Sequence, residues 1–478
     1  MSASDDRFAA RAARIPTHGI GLSVDVHSPD LLDLHRVLER AGMQPEYLEI
    51  FKAPTRDLAR IRAALPGIPL AYHAEGLWLT EPDLQRRYPW AGAIDTIARH
   101  AEAIEAGWIN HECASKQVGG YSFGTYLPPL FTRAAADATA ANAALAQAAL
   151  DDWYARRGRL DTAPLLLLEL PPLTYCAFGD LSVPEFFARI AEQAPCGLML
   201  DIGHLWTHWR YRERRRFPTA EAFAADFLET FPLNRVVQVH VAGLGTADGE
   251  GSSEVLPYWI DKHDAPVPDM LFDLLRQVLA HPGLTALKGI ALEVDTKAIP
   301  LIVDEFGRLL EEVAGTTRGE EYSCTSSPLK GEGEDAGKLS DQYAAYARVV
   351  SGQETLEAST LVPFARNVDR EGLARYSTQY LPQEILRWGG NLAELFPSAW
   401  TALETRGVTG ADFVRFWFSR PRPVTECYDF FYIKLERWVE FVGAIAPDLV
   451  EEVAREAGVL RALHAELNDE AAVVESHA

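Results

Sequence analysis

Eight short segments of this chain are almost uniformly apolar, and longer segments with helical periodicity separate them. Strands that are apolar on both faces are typical of parallel sheets covered by helices on each side. Eight of them within residues 19–294 predict a closed (β/α)8 barrel rather than an open sheet. The segments are GIGLSV (19–24), YLEIF (47–51), LAYH (70–73), WINHEC (108–113), LLLLEL (165–170), GLMLDI (197–202), VVQVHV (236–241) and GIALEV (289–294).

The intervening segments carry signals for helix starts and ends. Ser182 precedes Glu185 by three residues, which is the pattern of a capping box at the start of a helix over 182–194. Residues 28–42, 218–231 and 268–281 show the same combination of capping residues and periodicity. The predicted fold class is therefore α/β, a TIM barrel followed by a smaller, mainly α-helical C-terminal domain.

The pattern changes after residue 314. Residues 315–340 are rich in glycine, serine and charge without periodicity, which is typical of a flexible linker. Beyond them, aromatic residues recur at helical spacing in 413–418 and 430–442, which predicts core or domain-interface packing. We predict a metal-binding barrel domain over 1–314, the linker over 315–340 and a helical domain over 341–478.

Charge and cysteine content exclude some classes of function. The formal net charge of −23 argues against binding to nucleic acid or to an anionic membrane. The five cysteines are odd in number and lack CxxC spacing, which favours a reducing compartment and disfavours a thiolate zinc site. No apolar stretch is typical of a signal peptide or a membrane span. A cytoplasmic protein is expected.

Nearly every predicted strand ends in an acid or a histidine. The carboxyl ends of barrel strands meet at one rim, so we expect these side chains to converge. One buried acid can be a helix cap or half of an ion pair, but many of them together carry a heavy desolvation cost that a shared cation removes. The residues are Glu49, His73, His111 or Glu112, Glu169, Asp201, His240 and Glu293, with Asp261 and His263 in the loop at 259–268.

The types of side chain indicate which metal is bound. Imidazoles and carboxylates without a thiolate suit iron, manganese or zinc better than calcium or magnesium. The candidates also outnumber what a single ion can bind, and carboxylates such as Glu169 and Asp201 could bridge two ions. This counting predicts a multinuclear site in which some of the residues orient the ligands from outside.

Taken together, the motifs resemble those of the multinuclear non-haem iron-dependent oxidases, a family that includes the oxidase subunit of methanobactin biosynthesis. The resemblance covers roughly residues 15–314. It implies a TIM barrel that holds two or three irons in mixed Fe(II)/Fe(III) states. It also implies O2-dependent oxidation of a ribosomally synthesised peptide (RiPP), commonly at a cysteine. The motifs are GIGL (19–22), His73, VGG…YLPPLFT (118–132), LELPP (168–172), LDIGH (200–204), VHVAG (239–243), WIDKHDAPVPD (259–269) and LEVDTKAIP (292–300).

The resemblance also implies a set of metal ligands, and this chain departs from the family pattern in three places. The family has asparagine where this chain has His204, and the histidine that closes its H-x-A-G-H motif is Leu244 here. Within NHEC (110–113), a gapless match puts Glu112 on a family histidine, whereas one inserted residue puts His111 there. Strand alternation lets only one of the two point inward; both are kept, and His111 is favoured. The ligands implied are His73, Glu169, Asp201, His240, Asp261, His263 and Glu293. Of the site residues, Asp201, His204 and Glu169 are also predicted to be catalytic.

The C-terminal segment 372–403 resembles the partner subunits that help to present the peptide to these oxidases. Fusing such a partner to the barrel raises its effective concentration at the active site. A plain helical stabilising domain is the alternative, and in that case a separate partner protein is expected. The expected substrate is a cysteine-containing precursor peptide.

Two other functions fit the same residues. The first is an isomerase or hydrolase of the xylose-isomerase-like type, in which a divalent metal polarises a carbonyl or activates water. The second is a non-catalytic scaffold that binds peptide through its helical domain. Dependence of the activity on iron and O2 distinguishes the oxidase from both.

Overall fold

A computed structural model describes residues 3–27, 29–51, 53–82, 84–87, 90–247, 258–260, 263–294, 297–315, 336–366, 368–387, 390–422 and 429–469. The strands are β1 (Gly19–Val24), β2 (Tyr47–Phe51), β3 (Leu70–His73), β4 (Trp108–Glu112), β5 (Ser115–Val118), β6 (Tyr121–Leu127), β7 (Leu165–Glu169), β8 (Gly197–Asp201), β9 (Val236–Ala242), β10 (Gly245–Ala247), β11 (Tyr258–Ile260) and β12 (Gly289–Val294). The α-helices are α1 (Ala3–Ala12), α2 (Leu31–Arg40), α3 (Thr55–Ala64), α4 (Leu84–Arg87), α5 (Trp90–Ile104), α6 (Arg133–Ala155), α7 (Val183–Gln193), α8 (Ile202–His208), α9 (Ala220–Thr230), α10 (Asp269–Leu279), α11 (Ile299–Ala314), α12 (Ala336–Val350), α13 (Arg370–Arg375), α14 (Leu381–Arg387), α15 (Leu392–Leu395), α16 (Pro397–Thr405), α17 (Gly410–Trp417), α18 (Asp429–Ile445) and α19 (Val450–Asp469).

Eight parallel strands close into a barrel in the order β1-β12-β9-β8-β7-β4-β3-β2. Strands β1 and β12 close the ring, with Gly19 opposite Gly289 and Val24 opposite Val294. All eight apolar segments singled out in the sequence form these strands, so the predicted (β/α)8 fold is confirmed. Barrel closure places the carboxyl ends of all eight strands around one mouth.

Helices on the outside of the barrel begin where the capping residues predict. The Ser182 side chain accepts the backbone N–H of Glu185, and the Glu185 carboxylate accepts the N–H of Ser182, which is the predicted capping box of α7. Asp30 and Thr219 cap α2 and α9 in the same way, each through its side-chain oxygen. Each cap satisfies an N–H group that the helix itself leaves without an acceptor.

The amino end of the barrel is filled with apolar side chains and covered by α1. Phe8 and Ala12 of α1 pack against Trp108, Leu165 and other residues that point into this end of the barrel. Arg235, at the start of β9, fastens the helix by donating to Asp5 at 2.7 Å. Polar groups inside the barrel are therefore confined to its other end.

The C-terminal part of the chain is helical, as predicted, from α12 to α19. Its aromatic residues pack together: the rings of Phe413 and Trp438 lie 5.3 Å apart, and those of Phe413 and Phe441 5.5 Å apart. Residues 316–335 of the predicted linker lie outside the described residues, and α12 already begins at Ala336. The division into domains stays a prediction.

This helical part packs directly on the hairpin of β5 and β6, which leaves the barrel after β4. Trp417 Nε1 donates to Ser122 O at 2.8 Å, and Ser122 Oγ donates to Arg422 O at 2.8 Å. Gly119, at the turn of the hairpin, has a φ of +58°, and a Cβ there would lie 2.7 Å from the carbonyl oxygen of Tyr343. Glycine thus permits both the left-handed turn and the close approach of α12.

Three of the five cysteines fall within the described residues. Cys113, Cys176 and Cys196 are all buried and free. Cys324 and Cys427 lie outside the described residues. None of the helices in the described ranges has the length and apolarity needed to cross a membrane.

Candidate metal centre

Strand alternation decides which polar side chains enter the mouth of the barrel. On β4, Trp108 and Asn110 point inward, because Trp108 Nε1 donates to Gln238 Oε1 at 2.8 Å and Asn110 Nδ2 donates to Glu169 Oε2 at 2.6 Å. The next inward position is Glu112, two residues further along the strand. The side chain of Glu112, at the end of β4, therefore points into the barrel.

One cluster of potential ligands comes from the ends of four adjacent strands. Glu169 of β7, Asp201 of β8, His240 of β9 and Glu293 of β12 each offer one ligand atom, and these atoms all lie within 4.8 Å of one another. All four residues are buried. Three carboxylates and one imidazole at this separation form a site suited to a divalent or trivalent cation.

A second cluster shares Glu169 with the first. Glu112, Glu169 and His204 likewise offer ligand atoms within 4.8 Å of one another. A carboxylate that belongs to two clusters is placed to bridge two ions through its two oxygens. Asp201, the other predicted bridge, belongs to the first cluster alone, although its Oδ1 lies 3.9 Å from Nε2 of His204.

Asp201 both caps a helix and presents a carboxylate oxygen without a donor. Its Oδ1 accepts the backbone N–H of His204 at 2.7 Å and so caps α8. Its Oδ2 is buried and has no hydrogen-bond partner among the described residues. Burial raises the pKa of Asp201 to about 6. An orphaned buried carboxylate oxygen costs free energy, and a bound cation would remove that cost.

Two more predicted histidines border the first cluster. His73 Nε2 lies 3.2 Å from Glu169 Oε2, and His263 Nδ1 lies 3.6 Å from Glu293 Oε1. The Nδ1 of His73 is buried and has no hydrogen-bond partner within the described ranges. Asp261, also predicted as a ligand, lies outside the described residues.

The charged side chains at the mouth of the barrel strongly shift one another's pKa values. Burial opposes protonation of His240, but the neighbouring Glu49 and Glu293 carboxylates outweigh it and raise the pKa of His240 well above its usual value. In the same way burial opposes protonation of His73, yet the Glu169 carboxylate raises its pKa to about 9. The carboxylates thus favour the protonated forms of His240 and His73, and bound metal ions would replace these protons when the imidazoles become neutral ligands.

His111, the favoured alternative at the β4 strand end, lies outside both clusters. It sits on the outer face of the strand, where its Nδ1–H donates to Glu112 O at 2.8 Å and its Nε2 accepts the N–H of Leu77 at 2.9 Å. Burial lowers the pKa of His111 to about 4. Both ring nitrogens are engaged with backbone, and it is Glu112 that the structure brings to Glu169.

His204, which stands where the resembling family has asparagine, has a defined orientation. Its Nδ1 lies 2.6 Å from Leu170 O, so this nitrogen carries the proton and donates. The nitrogen with the lone pair is then Nε2, the atom that faces Asp201. Thr207, one turn along α8, accepts the N–H of Leu173 and so ties the helix to the segment after β7.

Beneath the clusters lies a layer of polar residues, of which the sequence singled out Glu49 but not Ser23 or Gln238. Glu49 Oε1 lies 3.0 Å from Nε2 of His240 and accepts the hydroxyl of Ser23 at 3.1 Å. Gln238 Nε2 also contacts Nε2 of His240, at 2.8 Å. Period-two alternation could have revealed Asn110 and Gln238, since each precedes a strand-end site residue by two positions.

Comparison with known proteins identifies relatives of this chain. A family model described as the RiPP precursor modification enzyme MbnB/TglH/ChrH matches residues 17–317. Relatives include UPF0276 proteins of Paraburkholderia phytofirmans (26% identical over 235 residues, 48% of this chain and 66% of the relative) and Rhizorhabdus wittichii (26% over 310 residues, 64% and 94%). A relative in Caulobacter vibrioides is 29% identical over 188 residues, 39% of this chain and 57% of the relative. The matches to the first and third of these relatives thus span less than two thirds of their lengths.

Solved structures with a similar fold are distant. Endonuclease IV from Thermus thermophilus aligns with a TM-score of 0.36 and 16% identity, over 63% of this chain and 99% of the other. A D-tagatose 3-epimerase-like protein aligns with a TM-score of 0.36 and 12% identity, over 62% of this chain and all of the other (100%).

The family model covers more than half of the sequence. The chain therefore belongs to the MbnB/TglH/ChrH family of RiPP precursor modification enzymes.

Proposed function

We propose that this protein is a multinuclear iron oxidase that uses O2 to modify a ribosomally synthesised peptide at a cysteine. The observation that carries the proposal is the shared Glu169, which belongs to two clusters of buried carboxylates and imidazoles. Membership of a family of precursor-modifying enzymes supports the peptide substrate. The carboxylates and imidazoles of both clusters suit iron, manganese or zinc, and the family resemblance selects iron among them.

The two clusters supply the proposed ligands. Glu169, Asp201, His240 and Glu293 would hold one ion, and Glu112 and His204 would hold a second together with Glu169. His73, His263 and Asp261 complete the set that the family resemblance implies. We leave His111 out of this set, since backbone groups occupy both of its ring nitrogens.

The side chains of the barrel prepare this site before substrate arrives. When bound, iron supplies the redox chemistry with O2 and the acidification of a substrate thiol that these side chains cannot provide alone. Asp201 is held in place by capping α8, and Glu49 orients His240 from beneath. The apolar end under α1 keeps the low dielectric that strengthens every charge interaction at the mouth. Glu169, Asp201 and His204 are therefore proposed to act at the reacting centre.

The helical part of the chain is proposed to present the peptide. It covers the β5–β6 hairpin, which begins three residues after Glu112. A binding surface fused at this place raises the local concentration of substrate near the mouth. If this part only stabilises the barrel, a separate partner protein must present the peptide. A pull-down of the full chain with a candidate precursor peptide distinguishes these two roles of the helical part.

Metal quantitation and Mössbauer spectroscopy on anaerobically purified protein test the proposal. We expect more than one iron per chain and O2 consumption with a cysteine-containing precursor peptide, but none with its cysteine-to-serine counterpart. Protein that contains no iron and takes none up on reconstitution would contradict the oxidase. A redox-inert metal with activity in the absence of O2 would favour the isomerase or hydrolase instead.

Asp201→Ser separates the two roles of this residue. Serine caps helices about as well as aspartate, so α8 should keep its start, while the carboxylate ligand is lost. We expect the variant to stay folded by circular dichroism and to lose iron. Asp30→Ser, which makes the same change at the cap of α2 in a residue outside both clusters, is the matched control and should keep its iron. Full iron content in Asp201→Ser would reduce Asp201 to a helix cap.

A further inference from the structure

The loop that carries His263 is tied to one buried carboxylate, and so is Lys297, which lies just beyond β12. His263 lies in the loop before α10, and Glu293 ends β12. Four residues beyond His263, the N–H of Val267 donates to Glu305 Oε1; four residues beyond Glu293, Lys297 Nζ donates to Glu305 Oε2 at 2.8 Å. Glu305 belongs to α11, so one side chain of the outer helix layer fastens both loops.

The energetics of this contact favour a positional role. The side chain of Lys297 is fully buried and that of Glu305 is 8% exposed. A buried ion pair gains little net stability, because removing both charges from water offsets most of their attraction. Each carboxylate oxygen, however, has one partner and each partner belongs to a different loop. The pair therefore fixes the separation of the loops, whatever its net contribution to stability.

That separation matters for the clusters at the mouth. His263 Nδ1 and Glu293 Oε1 lie 3.6 Å apart, across the gap between the two loops. Glu293 also contacts Nδ1 of His240 at 3.0 Å. Glu293 is held in β12 by pairing with β1 and β9, so a shift of the loop that carries His263 would separate these ligand atoms, and metal affinity depends steeply on such geometry.

We infer that Glu305 is a positioning residue of the metal centre, which holds His263 and Glu293 at binding distance through Val267 and Lys297. The inference rests on the proposed function insofar as these two residues bind metal. Glu305 itself lies outside both clusters, and within the described residues its hydrogen bonds go to Val267 and Lys297 and not to a proposed ligand. Its effect is transmitted by the loop backbones.

Two double variants test this without leaving a buried charge unpaired. Lys297→Met with Glu305→Gln keeps an acceptor for the Val267 N–H and cuts the tie to the Glu293 loop alone. Lys297→Met with Glu305→Leu cuts both ties and replaces the ion pair by apolar groups, a change that is often neutral or favourable for stability. Asp137→Asn, which breaks the bidentate pair with Arg189 on the outside of the barrel, is the control.

Anaerobic titration of the metal-free full chain with Co(II) gives both an affinity and a visible spectrum that reports ligand geometry. We expect affinity to fall about tenfold in the Gln variant and up to about a hundredfold in the Leu variant, with altered spectra. Thermal midpoints of the metal-free proteins should stay close to wild type, and Asp137→Asn should bind Co(II) normally. If the Leu variant fails to fold, the Gln variant decides the question.

The outcomes separate this inference from the proposed function. Wild-type affinity and spectrum in a folded double variant would overturn the role of Glu305 and leave the metal centre intact. A wild-type chain that binds neither Co(II) nor Fe(II) would overturn both. A second result would also overturn the role of Glu305. If Asp137→Asn loses Co(II) affinity in proportion to its loss of thermal stability, as the double variants do, then any destabilisation of the fold weakens metal binding.

Discussion

A partly buried acid within the helical part of the chain makes stability depend on pH in a predictable direction. Glu384 belongs to α14, which packs against β6, and its Oε2 accepts the hydroxyl of Tyr376 at 2.9 Å. Burial raises the pKa of Glu384 from 4.5 to about 7, and the hydrogen bond from Tyr376 only partly opposes this. Glutamine in this position keeps an acceptor for Tyr376 and removes the charge.

The sign and size of the effect follow from linkage. Between pH 4.5 and pH 7 the folded protein holds a proton on Glu384 that the unfolded chain has released, so folding stability falls as the pH rises through this window and levels off above it. With these two pKa values, Glu384 destabilises the fold by about 1 kcal/mol at pH 5 and by about 3 kcal/mol at pH 8. Glu384→Gln removes this cost.

Urea unfolding followed by tryptophan fluorescence at both pH values measures the difference. We expect Glu384→Gln to be more stable than wild type, and its advantage to grow by about 2.5 kcal/mol from pH 5 to pH 8. Glu404→Gln is the matched control, because Glu404 also accepts a hydrogen bond from an aromatic side chain, Trp400 Nε1, but is exposed. An advantage of the Glu384 variant that is the same at both pH values would refute the reasoning.

Three further variants probe the barrel mouth. His111→Phe should keep its full iron content but lose about 1–3 kcal/mol of stability, measured by urea unfolding, since the buried N–H of Leu77 loses its acceptor. Glu49→Gln should weaken Co(II) binding by about tenfold to a hundredfold in anaerobic titration, because His240 loses the carboxylate that orients it. His204→Ala should lower the iron content by about one ion per chain in elemental analysis, because the second cluster loses its imidazole.

The fold was predictable because the information is local and repeated. Each barrel strand is buried on both faces, so its sequence is apolar throughout, and the capping box at Ser182 and Glu185 marks the following helix independently. The convergence of strand-end residues followed from barrel geometry alone. The sequence did not decide whether His111 or Glu112 points into the barrel, because a shift of one residue in β4 exchanges the two. That choice becomes visible once Trp108 and Asn110 are known to point inward.

Other parts of the site could not be read from the chain because they arise from tertiary contacts. Glu305 lies on a helix, away from every strand end, and neither its neighbours nor its spacing marks it as part of the site. Its partners Val267 and Lys297 are brought to it by two separate loops. The orientation of His204 likewise depends on a carbonyl group 34 residues away, that of Leu170.

The balance of charge at the mouth explains why cations, rather than ion pairs between side chains, suit this barrel. Even if every imidazole there were protonated, the carboxylates would outnumber them by one, and a buried excess charge is costly. One divalent and one trivalent ion bound by neutral imidazoles would balance the five carboxylates and would also satisfy the orphaned Oδ2 of Asp201. The carboxylates are Glu49, Glu112, Glu169, Asp201 and Glu293, and the imidazoles are His73, His204, His240 and His263. Metal ions bound by these acids would offset their charge at the open end of a barrel whose other end is closed by α1.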